Sequence, residues 1–275
     1  MPHPPSVQAI IARHHVKLLG QGPVTLVLAH GFGCDQSMWR FVAPALLDRY
    51  RVVLFDYIGS GSSDPAAYDP RRYASLDGYA RDVIEICTAL ELAAPVFVGH
   101  SASGMIGALA AIAKPGLFSH LIMVGPSPRY INDPPDYVGG FERADIEAML
   151  DMMEHNFIGW SDAMAPIIMG NEDRPELSQE LVSSFCSMDR SIARRWARAI
   201  FLGDNRDDLP RVTTPTLVMQ SVDDAIAPVS VGQYMHARLP NSTLHVMQAT
   251  GHCPHMSNPD EVLAVMGAYL AQHGL

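Results

Sequence analysis

The sequence lacks the features that mark secreted, membrane-spanning and nucleic-acid-binding proteins. Its four cysteines are scattered over 275 residues without paired spacing, which is typical of reduced thiols in a cytosol. No apolar stretch approaches the roughly 20 residues of a membrane span, and the amino-terminal residues show no basic segment followed by an apolar one. The net charge is −10 with no long basic run, which disfavours nucleic acids and anionic membranes as partners. We therefore expect a cytoplasmic protein with no membrane and no nucleic-acid partner.

The composition that is present favours one large globular α/β domain. Hydrophobic residues make up 48% of the chain and charged residues 17%, so a sizeable core can form. Apolar strand candidates are Thr25–Ala29, Val52–Phe55, Val96–Val98, Leu121–Val124, Thr216–Gln220 and Leu244–Met247, with a strand pair around Ala9–Leu19. Helical patterns fall between them at Trp39–Asp48, Leu76–Leu90, Met105–Ala113, Val229–Leu239 and Asp260–Gln272. This alternation predicts a mainly parallel, doubly wound sheet.

The most informative stretch is Gly99–Gly104, which follows an apolar run and precedes a helical segment of small residues. A strand, a tight turn with a serine at its tip and a helix form the context of a nucleophile elbow, which presents a serine hydroxyl above a parallel sheet. The positions two before and two after the nucleophile must be small, and Gly99 and Ser103 meet this requirement around Ser101. Ser103 is a poorer nucleophile candidate, because Met105 would then occupy the crowded position.

A serine hydroxyl needs a base to remove its proton, and the base needs an acid to orient it. Asp223 and Asp224 follow one strand-like run and His252 follows the next, so each lies just beyond the carboxyl end of a predicted strand. The order serine, acid, histidine is the one used with a nucleophile elbow. Local sequence does not separate Asp223 from Asp224. Alternative bases, each better explained by packing or a surface position, are His100, His236, His245 and His255.

Acyl chemistry also needs donors for an oxyanion. The apolar run 23–29 opens into His30–Gly33, a turn rich in exposed backbone. We expect the oxyanion hole to consist of the amide of Ala102, directly after the nucleophile, and the amide of Phe32. The alternative is that His30–Gly33 is a plain turn that ends a strand.

Cofactor and metal sites are not expected. The turn 56–62 contains Gly59 and Gly61 but lacks the G-x-G-x-x-G spacing of a dinucleotide-binding loop. Cys253 beside His252 could indicate a thiol nucleophile or a metal ligand, but no second cluster of ligands with usable spacing accompanies it. The sequence therefore predicts no cofactor and no metal.

The alternation of strands and helices breaks between Val124 and Thr214. Apolar residues at helical spacing predict helices over 146–157, 177–188 and 192–200, with a shorter helix near Trp160–Met169. These stripes can serve packing alone. Four helices inserted after a central strand would also cover the strand ends as a lid, with methionines lining an adaptable apolar pocket. We predict a core of residues 1–126 and 206–275 and a lid of residues 127–205.

Motifs along nearly the whole chain resemble those of RsbQ-type α/β-hydrolases, bacterial relatives of the plant strigolactone and karrikin receptors. These motifs are Gly31–Ser37, Leu54–Tyr57, Gly59–Gly61, Leu76–Ala80, Phe97–Ser101, Met123–Pro128, Asn132–Pro135, Tyr137–Phe141, Ile226–Pro228 and Gly251–Met256. The segments inside the predicted lid are the specific part, because an elbow and a triad occur in all serine hydrolases of this fold. The resemblance implies a four-helix lid over a small hydrophobic cavity. It also implies Asp224 as the acid, since the acid of this family usually lies four residues before a proline, here Pro228.

The function implied by the resemblance has two parts. We expect a serine hydrolase that acts on a small hydrophobic ester, lactone or related acyl compound through Ser101, His252 and Asp224. The resemblance further implies a stress-signalling role with a PAS-domain serine phosphatase that activates sigma-B. A ligand receptor with negligible turnover and a cofactor-free C–C hydrolase stay as alternatives. Dehalogenases and epoxide hydrolases of this fold use an aspartate nucleophile, so Ser101 argues against both.

Overall fold

A computed structural model describes residues 6–275 of the chain as one sheet flanked by helices. The strands are β1 (Lys17–Leu19), β2 (Val24–Ala29), β3 (Tyr50–Leu54), β4 (Val96–His100), β5 (His120–Val124), β6 (Thr216–Asp223) and β7 (Ser242–Thr250). Their order in the sheet is β1-β3-β2-β4-β5-β6-β7. Only β1 runs antiparallel to its neighbour within the described residues, and every other pairing is parallel. The predicted doubly wound, mainly parallel sheet is confirmed.

The helices follow the strands in alternation. The α-helices are α1 (Val7–Arg13), α2 (Ala43–Leu46), α3 (Leu76–Ala89), α4 (Ala102–Ala113), α5 (Arg143–His155), α6 (Phe157–Met169), α7 (Pro175–Ser187), α8 (Arg190–Phe201), α9 (Val229–Arg238), α10 (Pro254–Ser257) and α11 (Pro259–Gln272). Every residue of β4 is buried, as in a central parallel strand covered on both faces. Among residues 6–275, no helix has the length and apolar content needed to cross a bilayer.

Of the two strands expected around Ala9–Leu19, the first is a helix and the second is present. Residues Val7–Arg13 form α1, which begins where the Ser6 side chain accepts a hydrogen bond from the Ala9 amide at 3.2 Å. This cap satisfies one of the free amides of the first turn, and Ile10 alone on this helix is buried, where the helix packs on α3. The second half of the expectation holds, because β1 pairs with β3.

The predicted helix over Trp39–Asp48 is also interrupted. The chain forms a turn of 3-10 helix over Gln36–Trp39 and then the short helix α2. Pro44 lacks an amide hydrogen and cannot continue a helix from residue 40. It lies instead in the first turn of α2, where no such hydrogen is needed.

Helices α5 to α8 lie between β5 and β6, where the sequence predicts helices and no strand. In the described chain this insertion contains isolated β-bridges at Ile131–Phe141 and Asp133–Tyr137 but no extended strand. Each helix buries one apolar stripe: Ile146, Leu150 and Met153 do so on α5. All four predicted helices are present, and their treatment as a separate lid unit stays a prediction.

Candidate active site

Ser101 lies at the tip of a sharp turn between β4 and α4. Its φ is +57° and its ψ is −125°, a strained backbone conformation for a residue with a side chain. The turn is held by the Ser101 amide, which donates to the Val124 carbonyl of β5 at 2.8 Å. A Cβ on Gly99 would lie 2.5 Å from the backbone carbonyl of Ser103. Strand and helix thus approach as closely as a nucleophile elbow requires.

His252 connects the serine to a carboxylate. Its Nε2 lies 2.7 Å from Ser101 Oγ, and its Nδ1 lies 2.7 Å from Asp224 Oδ2. All three residues are buried. In this series of hydrogen bonds, a neutral imidazole donates from Nδ1 to the carboxylate and accepts at Nε2 from the serine hydroxyl. This is the arrangement that activates a serine for attack.

The structure separates the two candidate acids. Asp223 is exposed, whereas Asp224 is buried and faces His252. The second oxygen of Asp224 accepts from the amides of Ile226 at 2.8 Å and Ala227 at 3.0 Å. Burial alone raises the pKa of the Asp224 carboxyl, but His252 and these two amides outweigh it and hold the pKa below its ordinary value. Asp224 is therefore a carboxylate at neutral pH.

The two amides predicted to form the oxyanion hole are those of Phe32 and Ala102. Within residues 6–275 neither has an acceptor, and Ala102 begins α4, where the first amides of a helix lack intrahelical partners. His30 shapes the loop that carries Phe32: its Nδ1 donates to the Gly31 carbonyl at 2.8 Å, and its Nε2 accepts from the Tyr57 amide at 3.1 Å. Burial lowers the pKa of His30, in keeping with this neutral tautomer.

Ser103 has a structural role in the same loop. Its hydroxyl donates to the His30 carbonyl at 2.5 Å and lies 3.0 Å from the Tyr57 hydroxyl. It is fully buried on α4, at the small position of the elbow that the sequence indicates.

A narrow cavity stands over Ser101. Its volume is about 40 Å³. Its walls are largely apolar, and half of them come from the helices between β5 and β6: Met149, Trp160, Met164, Ile168, Leu181, Phe185, Ile200 and Phe201. From the core, Phe32 and Ile226 complete the apolar surface beside Ser101 and His252. The site accordingly suits a small ligand with few polar groups.

Tyr130 is a polar residue of the cavity that sequence reasoning missed. It is buried and lines the same cavity as Ser101. Burial raises the pKa of Tyr130, so the phenol keeps its proton. Tyr130 lies between β5 and α5 without a recognisable motif, and no sequence pattern marks it.

The alternative histidines fall into two groups. His236 and His245 are exposed on α9 and β7. His100 and His255 are buried, and the ring centroid of His100 lies 5.1 Å from that of His252 and 4.4 Å from that of His255. The Nε2 of His100 lies 2.8 Å from the main-chain carbonyl oxygen of His252.

One group of potential metal ligands exists in the described chain, at His14, Asp82 and Glu85. Arg72 already pairs with Asp82 at 2.6 Å and with Glu85 at 2.8 Å, and Arg13 also pairs with Glu85. These ion pairs use the carboxylates that a cation would need. Burial raises the pKa of the Cys34 thiol to about 12 and that of Cys253 well above its ordinary value, so neither is a ready thiolate ligand or nucleophile.

Comparison with known proteins agrees with the fold. Residues 26–265 match the model of the alpha/beta hydrolase family. The chain is 42% identical to the karrikin insensitive 2 receptor CA of Petunia hybrida, over 92% of this chain and 94% of that protein. It is 39% identical to the strigolactone esterase D14 of Arabidopsis thaliana, with the same coverage. A solved hydrolase from Oleispira antarctica is 42% identical and superposes with a TM-score of 0.96, over 98% of this chain and 99% of that one. This chain belongs to the α/β-hydrolase family.

Proposed function

We propose that the protein hydrolyses a small, mostly apolar ester, lactone or related acyl compound with Ser101 as nucleophile, His252 as base and Asp224 as orienting acid. The observation that carries this proposal is the hydrogen-bonded series Asp224–His252–Ser101 at the floor of a narrow apolar cavity. Esterase-named relatives at about 40% identity support the same reaction class.

In the proposed mechanism, the Ser101 oxygen attacks the substrate carbonyl carbon while its proton passes to His252 Nε2. The negative charge that develops on the carbonyl oxygen is stabilised by the amides of Phe32 and Ala102. Asp224 stabilises the imidazolium without taking its proton. His252 then protonates the departing alkoxide, the C–O bond breaks, and an acyl-serine is left. A water molecule activated by His252 cleaves that ester and restores Ser101.

We also propose that residues 127–205 act as a lid over this reaction. The support is that helices α5 to α8 supply half of the cavity wall and that Phe32, in the oxyanion loop, packs against Trp160, Phe185, Trp196 and Phe201. A lid of this kind would exclude bulk water from the acyl-enzyme.

A signalling output is a second proposal. It is favoured by relatives that are named receptors and that match more than nine-tenths of this chain. The finer form of this proposal is an RsbQ-like cytoplasmic role, in which the lid docks a PAS-domain serine phosphatase. Its support is the resemblance of the lid motifs Asn132–Pro135 and Tyr137–Phe141 to that group. Turnover and docking can coexist on one chain.

The first prediction concerns the nucleophile. Replacing Ser101 by alanine removes the attacking oxygen, so hydrolysis of p-nitrophenyl acetate should fall to the background rate. Phenylmethylsulfonyl fluoride should label the wild-type peptide that contains Ser101, as read by mass spectrometry. Labelling of Ser103 instead, or full activity in Ser101→Ala, would show that the nucleophile is assigned wrongly.

The second prediction separates the adjacent aspartates. Asp224→Asn removes the charge that orients His252 and should lower kcat by about 10⁴-fold, the loss seen in other triads. Asp223→Asn is the matched control and should change kcat by less than about twofold, because Asp223 is exposed. Steady-state kinetics with one ester decides between them, and the opposite ranking would move the acid by one residue.

The third prediction concerns substrate size. The cavity over Ser101 is narrow and largely walled by apolar side chains of the inserted helices, so we expect it to accept short acyl chains more readily than long ones. The kcat/KM for p-nitrophenyl esters should therefore fall steeply from acetate to octanoate. Met164→Ala, which shortens a cavity-lining side chain, should lessen that fall. Efficient hydrolysis of long acyl chains by the wild type would contradict a closed cavity.

The fourth prediction tests docking on the lid. Glu147 and Asp151 are exposed on α5, so Glu147→Lys and Asp151→Lys should weaken binding of the phosphatase while changing stability by no more than about 0.5 kcal/mol and leaving esterase activity intact. Asp48→Lys is the control, because it reverses an exposed charge outside residues 127–205. Arg194 is unsuitable, because it is half-buried and pairs with Glu154 between α8 and α5. If no partner is recovered, or no lid variant separates binding from hydrolysis, the protein is an enzyme alone.

A further inference from the structure

The main chain of His252 is held from two sides. Its amide donates to the carbonyl of Ile168 in the last turn of α6, at 2.8 Å. Its carbonyl accepts from Nε2 of His100, the residue directly before Ser101, also at 2.8 Å. The backbone of His252 is thus hydrogen-bonded to the inserted helices on one side and to the elbow on the other.

The contact with α6 satisfies a helix end. The last four carbonyls of an α-helix have no partner within the helix. In α6 the Pro166 carbonyl accepts from the Gly170 amide at 2.9 Å, the Met169 carbonyl from Asn171 Nδ2 at 2.5 Å, and the Ile168 carbonyl from His252. The His252 loop therefore caps α6, and α6 in turn fixes the height of that loop.

Two glycines let these backbones meet. Gly170 ends α6 in a left-handed conformation with φ +59°, and Gly251 has φ +80°. A Cβ on Gly170 would lie 3.0 Å from the Gly251 Cα, and a Cβ on Gly251 would overlap the Met169 carbonyl oxygen. Asn171 adds a second bond across the junction, from Nδ2 to the Thr250 carbonyl at 3.2 Å.

The elbow side of His252 is equally fixed. The carbonyl can only accept, so His100 donates from Nε2 and is neutral; burial lowers its pKa to about 3. The His100 ring packs against His255, and His255 packs against Trp39 with ring centroids 4.7 Å apart. This buried stack supports the His252 carbonyl from the elbow side, while α6 holds the His252 amide from the other.

We propose that Gly170 and Asn171, with the carbonyl of Ile168, are positioning residues that set the distance between His252 Nε2 and Ser101 Oγ. This inference rests on the proposed hydrolytic function. Because Met164 and Ile168 of the same helix line the cavity, a bound ligand presses on the element that holds the base. The lid is then part of the catalytic geometry as well as its cover.

The test compares two left-handed glycines. Gly170→Ala places a methyl group against Gly251, whereas Gly116→Ala carries the same backbone strain at φ +78° with nothing within 4 Å. A misplacement of about 1 Å can cost on the order of 10²-fold in rate. We expect Gly170→Ala to lower kcat for p-nitrophenyl acetate by about tenfold or more with little change in KM, and Gly116→Ala to leave kcat unchanged.

A second readout is independent of turnover. The low-field proton resonance of the His252–Asp224 hydrogen bond should shift or broaden in Gly170→Ala and keep its position in Gly116→Ala. Asn171→Asp removes the Nδ2 donor at nearly constant shape and should shift the same resonance and lower kcat. This variant decides the matter if Gly170→Ala does not fold, as judged by thermal denaturation.

The outcomes distinguish this inference from the proposed function. If Gly170→Ala and Asn171→Asp keep both the wild-type kcat and the wild-type resonance while Ser101→Ala is inactive, the positioning role is wrong and the hydrolase assignment stands. If Ser101→Ala retains hydrolysis, the proposed function is wrong, and the resonance alone still tests whether α6 positions His252.

Discussion

The strained backbone of Ser101 is the constraint around which the rest of the molecule is arranged. A left-handed serine persists only where its surroundings determine it, and here β4, β5 and α4 do so. Gly99 is required because the strand and the helix of the turn nearly touch, and Ser103 is small for the same reason. Since the turn projects Oγ beyond the carboxyl edge of a parallel sheet, residues that follow β6 and β7 can reach it, and Asp224 and His252 do.

Burial in this site selects which groups carry charge. A second imidazolium next to His252 would oppose the transfer of a proton from Ser101, because like charges disfavour each other strongly where water is excluded. Burial lowers the pKa of both His100, whose ring lies next to that of His252, and His255, which packs on His100, so these two rings are neutral. Asp224 keeps its charge because two amides and His252 compensate its burial. In the proposed mechanism the proton of Ser101 therefore has one favourable destination, the imidazole of His252 that faces Asp224.

The sequence predicts this site to the extent that the site is local. The elbow lies within six consecutive residues, and the partner loops follow apolar strands whose parallel pairing brings their ends together. The choice between Asp223 and Asp224 depends on which side chain a strand end turns inward, which local spacing does not encode. Tyr130, His100 and the Ile168 carbonyl reach the site from distant segments of the chain, and Ile168 bonds to His252 through its backbone alone, so no residue type reveals them. The helix over Val7–Arg13 was missed because a single buried residue, Ile10, leaves almost no periodic pattern.

The inserted helices contact the Phe32 loop and the His252 loop, and they line the cavity above Ser101. This arrangement bears on whether hydrolysis and ligand reception would be separate functions of this fold. Phe32 packs against Phe185 of α7, and the Gly33 carbonyl accepts from Ser184 of the same helix at 2.6 Å, so the loop that carries Phe32 is held by the inserted helices. The His252 amide donates to the Ile168 carbonyl of α6, and Met149 and Ile200 line the cavity above Ser101. A ligand can shift a conformational equilibrium only by contacting two states differently. A ligand in the cavity would contact α6 and α7 through Ile168 and Phe185, and the bonds to the His252 and Gly33 loops come from Ile168 itself and from Ser184, the neighbour of Phe185. If the proposed hydrolysis and docking both occur, a movement of these helices that a partner recognises would also change the geometry around Ser101.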